Sequence, residues 1–180
     1  GYHFEFSRLE KWCCLCRKYG IEYLEMPHLF TQWGAEATPK ILVRAGGKLQ
    51  KRFGWHVPAE SPAYNEFLQE FLPALQAKLQ DLGYDREHVY FHISDEPSEA
   101  QLESYGKAKK MTEGQLDGWK VIDALSDYAF YEKGLVKIIF SRLRIMGCRI
   151  SGPITAVLRE WRCRTASLPC LPQGTGSWVC

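Results

Sequence analysis

The chain has 180 residues, a formal net charge of +2, and 46% hydrophobic and 24% charged residues, the make-up of an ordinary globular protein. Its lysines and arginines are scattered rather than run together, so no nucleic-acid partner is expected, and no apolar stretch reads as a membrane span. It opens Gly1-Tyr2-His3 without an initiator Met, a basic n-region or an apolar h-region, so no targeting segment is read and the compartment stays open.

The first element is a helix. Ser7 with Glu10 has the spacing of a capping box; Leu9, Trp12, Cys13, Cys16 and Tyr19 recur at helical intervals, and Gly20 takes the C-cap position. Cys13, Cys14 and Cys16 read as core thiols. Cys13 and Cys16 lie one turn apart and could chelate a soft metal, but no His partner at zinc spacing accompanies them. Ile21 to Met26 follows as a short strand ending at Pro27, with His28 at its tip. Residues 28–60 are an excursion that holds a hairpin, Ile41 to Val43 turning at Gly46-Gly47.

Ser61 with Pro62 at the first helical position opens a second helix, whose stripe runs through Phe67, Leu68, Phe71, Leu72, Leu75, Leu79 and Leu82 to Gly83; Pro73 is a candidate kink. Val89 to Ser94 is the next strand, and a helix capped by Ser98 with Gln101 carries Leu102, Tyr105 and Ala108. Trp119 to Leu125 is a third strand, followed by a short helix or turn from Asp127 to Lys133. Strict alternation of helix and strand implies an α/β fold with a parallel sheet and right-handed crossovers. Three strands do not close a barrel, which takes eight and about 250 residues, so the expected fold is a fragment of a parallel (β/α)8 TIM-type barrel. A small doubly wound sheet is the rival, but no glycine-rich phosphate loop follows any strand.

Chemistry concentrates at Tyr90-Phe91-His92-Ile93-Ser94-Asp95-Glu96-Pro97. A buried apolar strand ends there in two adjacent acids, at the carboxyl edge of the sheet where sites of such folds form. These acids either carry catalysis or help to cap the next helix. His28, Gln32 and Trp33 follow the first strand, where an indole face can stack on a ligand ring and polar groups can hold its hydroxyls, or they form a plain solvated loop. Asp123 ends the third strand and either binds a ligand hydroxyl or caps the segment after it; His92, inside its strand, reads as a satisfied core residue.

The stretches Phe6 to Tyr19, Glu25 to Gly34, His92 to Pro97 and Asp123 to Tyr128 together resemble the catalytic domain of glycoside hydrolase family 123, over a region from about Tyr2 to about Val136. Characterised members of that family are β-N-acetylgalactosaminidases. The resemblance implies a retaining, substrate-assisted reaction in which the 2-acetamido oxygen of the sugar attacks the anomeric carbon, one of the exceptions to the usual two-carboxylate scheme. Carried onto this chain, it makes Glu96 the general acid and base and Asp95 the group that orients the acetamido and supports the oxazolinium-like intermediate. No cofactor or metal is implied, and the partner is a carbohydrate. Two rival classes remain: a non-catalytic carbohydrate-binding relative using the same cleft, and a metal-dependent hydrolase built on His28, His92 and Asp95.

Beyond about Val136 the alternation stops, and residues 137–180 gather Arg, Cys, Pro and Gly, four of the seven cysteines among them. Joining the third base of each codon to the first two of the next, Ser151 to Val157 permits Trp-Thr-Tyr-Tyr-Cys-Cys and Cys163 to Ser167 permits Ser-Asn-Arg-Phe, both similar to downstream blocks of the family. The organisation read is therefore 1–136 as partial catalytic domain and 137–180 as a tail out of frame, with a divergent natural tail as the alternative.

Overall fold

In the computed structural model, which describes residues 1–125, 129–136 and 138–141, strands and helices alternate as the hydrophobic pattern requires. The described residues all lie within the unit Gly1–Met146. Four strands, β1 (Leu24–His28), β4 (Val89–His92), β5 (Lys120–Leu125) and β6 (Ile138–Ser141), form one sheet in the order β1-β4-β5-β6, and each neighbouring pair is parallel. Helices α1 (Ser7–Lys18), α2 (Pro62–Asp81), α3 (Leu102–Thr112) and α4 (Ala129–Glu132) fill the connections. Between β1 and α2 the chain makes an antiparallel ribbon, β2 (Ile41–Ala45) with β3 (Lys48–Phe53), turning at Gly46-Gly47 as expected. The sheet is open: the described strands do not close a barrel.

The core lies between the sheet and its helices. From β1 it takes Leu24 and Met26, from β4 Val89 and Phe91, and from α2 Tyr64, Phe67, Leu68, Leu72, Leu75 and Leu79, whose spacing places them on one face. Each fully buried leucine contributes roughly 1.5–3 kcal/mol of transfer free energy. Tyr2, Phe4 and Phe6 cover the outer end of that face, Tyr2 edge-on to Phe67 and Phe4 tilted against Phe71. α2 runs unbroken through Pro73, which sits on its exposed side, where water can reach the carbonyl left without an amide partner.

Several local expectations are corrected. Ser7 is the first residue of α1 rather than its cap; its hydroxyl donates to Glu5, and no side chain caps the helix. Only Cys13 and Cys16 of the cysteine cluster are buried, whereas Cys14, Trp12 and Tyr19 face outward, so α1 has a narrower apolar stripe than its composition suggests. β1 begins at Leu24, three residues later than the apolar run, because Leu24 is the first to find a partner in β4. The strand Ile138–Ser141 falls just past the expected break at Val136 and pairs with β5; the rest of the tail, with its frameshift reading, lies outside the described residues.

Candidate active site

Two loops leave the carboxyl edge of the sheet, after β1 and β4, and hydrogen bonds lace them to each other and to β5. The amides of Leu29 and Phe30 donate to the carbonyls of His92 and Ile93 at 3.0 and 2.9 Å, which carries the β1–β4 pairing past the end of both strands. The Trp33 amide then donates to the Asp95 carbonyl at 2.8 Å. Ser94, fully buried, donates its hydroxyl to the Thr31 carbonyl at 2.7 Å and accepts from the Gly34 amide at 3.3 Å. From the other side the Glu96 amide donates to the Ala124 carbonyl of β5 at 3.0 Å. Trp33, Asp95 and Glu96 are thereby brought to one rim.

The backbone at this rim is unusual. Trp33, Ala35 and Glu96 are the described non-glycine residues with positive φ, at 59°, 58° and 43°, and all three belong to these loops. Such a conformation costs an L-residue roughly 1–2 kcal/mol, and residues held this way cluster at active sites. Gly34, at φ 99°, sits between two of them because a Cβ there would lie 2.4 Å from Cβ of Gln101. The Ser104 hydroxyl donates to the Gly34 carbonyl at 2.6 Å, and the Gln101 side chain accepts from the Ser98 amide at 2.9 Å, completing the expected cap at the entrance to α3.

Below the rim lies a buried polar hub. Asp123 has no exposed surface; its carboxylate accepts from the Ile93 amide at 3.0 Å and from the Tyr105 hydroxyl, and it stands 3.2 Å from His92 Nδ1. Burial pushes the Asp123 carboxyl up while those three donors oppose it. Burial also pushes the Tyr105 phenol up, with the Asp123 charge adding to it, so Tyr105 stays a neutral donor. For His92 burial acts downward, but Asp123 and Glu25 outweigh it and hold the imidazole above its ordinary value. Its Nε2 lies 2.7 Å from Glu25 Oε1, an ion-pair contact out of line for a hydrogen bond. The His28 ring rests 4.9 Å from that of His92, its Nε2 4.0 Å from Asp95 Oδ1. Burial lowers His28, as does the charge of His92, with Asp95 a partial offset.

Set against the sequence reading, Asp95 is half-buried, Glu96, Gln32 and Trp33 are exposed, and His28 is half-buried beside Asp95. Asp123 stands apart: its oxygens are committed to internal donors with no surface left for a sugar hydroxyl. His92 is buried as expected, yet it adjoins the site through His28 rather than belonging to the apolar core. The pattern does not reveal Ser94 and Tyr105, since a serine before two acids and a tyrosine on an apolar stripe carry no special signal. Among the described residues no group of three or more His, Cys, Asp or Glu converges as a metal site.

The sequence model of the family described as "Glycoside hydrolase 123, catalytic domain" matches residues 1–147. No curated protein matches. Among solved structures, that of a family 123 glycoside hydrolase from Clostridium perfringens, reported for the details of glycolipid glycan hydrolysis, superposes with a TM-score of 0.54 at 17% identity, over 76% of this chain and 24% of that one. At that identity the likeness is one of fold, and the chain spans about a quarter of that protein's length.

Proposed function

We propose, from the premise that this chain belongs to the family of the glycoside hydrolase 123 catalytic domain, that its rim hydrolyses β-linked N-acetylhexosaminides with retention, using Asp95 and Glu96. The family makes the protein a glycoside hydrolase domain with a carbohydrate as substrate. The observation that carries the finer reading is the placement of the two acids: adjacent, at the carboxyl edge of β4, and pinned from both sides by the amides of Trp33 and Glu96.

In this reading Glu96, on its left-handed backbone, protonates the leaving oxygen and then draws a proton from the incoming water. Asp95 holds the acetamido N–H as its oxygen closes on the anomeric carbon. No enzyme nucleophile is needed, so the usual separation rule for flanking acids does not apply. His28, whose imidazole burial pushes toward the neutral form, stands 4.0 Å from Asp95 as a polar neighbour that does not cancel its charge. Trp33 and Gln32 line the approach, the indole offering a face to the pyranose. Glycans of glycolipids, the subject of the Clostridium perfringens work, are one form such a substrate takes. The open sheet is read as part of a (β/α)8 barrel, and residues 137–180 as largely out of frame.

The test is a contrast of leaving groups, made on the coding sequence with its frame restored. Glu96→Gln should cut turnover of a poor leaving group by about 10²- to 10⁴-fold and an activated aryl glycoside much less. Asp95→Asn should depress both alike, because ring closure is required whatever departs. Turnover near wild type for both variants on both substrates would make the acids mere caps of α3. Sugar binding with no turnover by the parent protein would favour the non-catalytic relative.

A further inference from the structure

The cations of this chain are not evenly placed in space. Between Glu36 and Glu60 there is no carboxylate, yet Lys40, Arg44, Lys48, Lys51 and Arg52 all fall there, on or beside the β2–β3 ribbon. All five are exposed, and among the described residues the lysine ion pairs are made elsewhere, by Lys78, Lys107, Lys109 and Lys120. The register sorts the ribbon into two faces. Leu42 stands opposite Lys51 and Arg44 opposite Leu49, so these four side chains share one face. On the other face Ile41 packs against the core at one end, and Val43 is half-buried. The mixed face is open: Leu42 is 46% exposed and Leu49 60%, and Trp55, just past the ribbon, is 64% exposed.

Leucines alternating with cations on an exposed ribbon, with a tryptophan beside them, fit the bilayer interface: apolar side chains enter the acyl boundary, cations meet anionic headgroups and indole favours the layer between. We propose that the β2–β3 ribbon is a docking element that seats the domain on a membrane surface carrying anionic lipids. A polyanion such as nucleic acid or an acidic polysaccharide would use the five cations but has no use for Leu42 and Leu49. The bare Gly46-Gly47 tip lets backbone approach the headgroups closely. The ribbon is anchored at its base, where Thr38 exchanges two hydrogen bonds with Gly54 and Ala37 bridges Pro58. Ala37 in turn bonds to Thr31 in the loop that carries Trp33, so a seated ribbon holds the rim near the surface. Docking does not depend on the hydrolytic reading, and it can fail or hold independently of turnover.

The test is co-sedimentation of the 180-residue chain with vesicles of phosphatidylcholine alone or mixed with phosphatidylserine. Binding should require the anionic lipid and weaken as salt shortens the Debye length to about 3 Å at 1 M. Arg44→Glu with Lys51→Glu should lower partition by more than the roughly fivefold that each cation near the surface is worth. Leu42→Thr with Leu49→Thr keeps strand propensity and charge, and should lower partition about tenfold or more. Trp55→Ser, outside the strand pairing, should also weaken binding and serves as a check that does not disturb the ribbon. Sedimentation unchanged in the leucine and tryptophan variants would show a bare polycation and overturn the proposal. So would failure of the parent chain to bind the mixed vesicles.

Discussion

Glu96 is held at φ 43°, and that strain can be weighed separately from its side chain. In Glu96→Ala the carboxylate and its contacts are gone while the left-handed backbone still carries a Cβ. In Glu96→Gly the same contacts are gone, and the Cβ with them. The difference between the two variants therefore isolates the backbone term. An L-residue in this region costs roughly 1–2 kcal/mol, and glycine gives back about 0.5–1 kcal/mol through the greater entropy it loses on folding. Glu96→Gly should thus be more stable than Glu96→Ala by about 0.5–1 kcal/mol. For a chain of this size that is about 1–4 °C in Tm. Paired thermal melts by circular dichroism read it directly, with urea midpoints as the check that the slope is unchanged. A glycine variant no more stable than the alanine variant would refute the reasoning that the rim stores strain at this residue. Both variants should lose turnover of a substrate with a poor leaving group by about 10²- to 10⁴-fold, so the two would differ in stability while sharing the loss of function.

Other consequences arise from the hub and from the base of the ribbon. His92 is held above its ordinary value by Asp123 and Glu25, so its contribution to stability is fully present below its unfolded pKa of about 6.5 and is lost as pH rises through the higher folded value. The Tm advantage of the native chain over His92→Gln should accordingly be largest below about pH 6.5 and shrink above it; a gap constant across that range would show that the imidazole acts by packing alone. Thr38 is fully buried, accepting from the Gly54 amide at 2.9 Å and donating to the Gly54 carbonyl at 3.0 Å. Thr38→Val leaves the buried Gly54 amide without a partner, while the Gly54 carbonyl still accepts from the Val57 amide at 2.8 Å; the loss costs about 1–3 kcal/mol, and amide exchange should quicken in the ribbon while β4 keeps its protection. For the tail, genomic DNA read one base over after about Val136 should stay open past Cys180, and an early stop codon there would remove the frameshift reading.

The elements legible in the sequence were those whose signals are local. α2 announced itself by its Pro62 start and leucine spacing, the ribbon by Gly46-Gly47, and β4 by an apolar run that stops at two acids. The cap expected at Ser7 does not form, because Ser7 takes the first helical position and Phe6 the cap position, a one-residue offset that spacing alone cannot decide. β6 was hidden by its neighbours' composition, which masked a four-residue strand. At the site, the rim acids and Trp33 could be named from position, but the hub could not. Asp123 looks like any acid ending a strand, and only the fold brings Tyr105 and the Ile93 amide to it, respectively 18 and 30 residues away in sequence. The basic character of the ribbon was likewise diluted by counting charges over the whole chain, when the register is what gathers Arg44 and Lys51 beside Leu42 and Leu49.

The bond from the Ile93 amide to the Asp123 carboxylate puts a side chain where a ladder carbonyl would serve. β4 and β5 pair as a ladder at Tyr90–Lys120 and Phe91–Val121 and meet again by backbone where the Glu96 amide donates to the Ala124 carbonyl, so between those two points side-chain chemistry bridges them. There Asp123 gathers three groups, its own carboxylate, the His92 imidazole and the Tyr105 phenol, into one spacer beneath the rim. A spacer of this kind imposes an evolutionary grammar. A lineage that changes Asp123 alone leaves the Ile93 amide, the His92 ring and the Tyr105 hydroxyl without their shared acceptor beneath Asp95 and Glu96, whereas one that changes Asp123, His92 and Tyr105 together can refit the hub. The three positions should therefore change in concert, ahead of any change in the acids themselves.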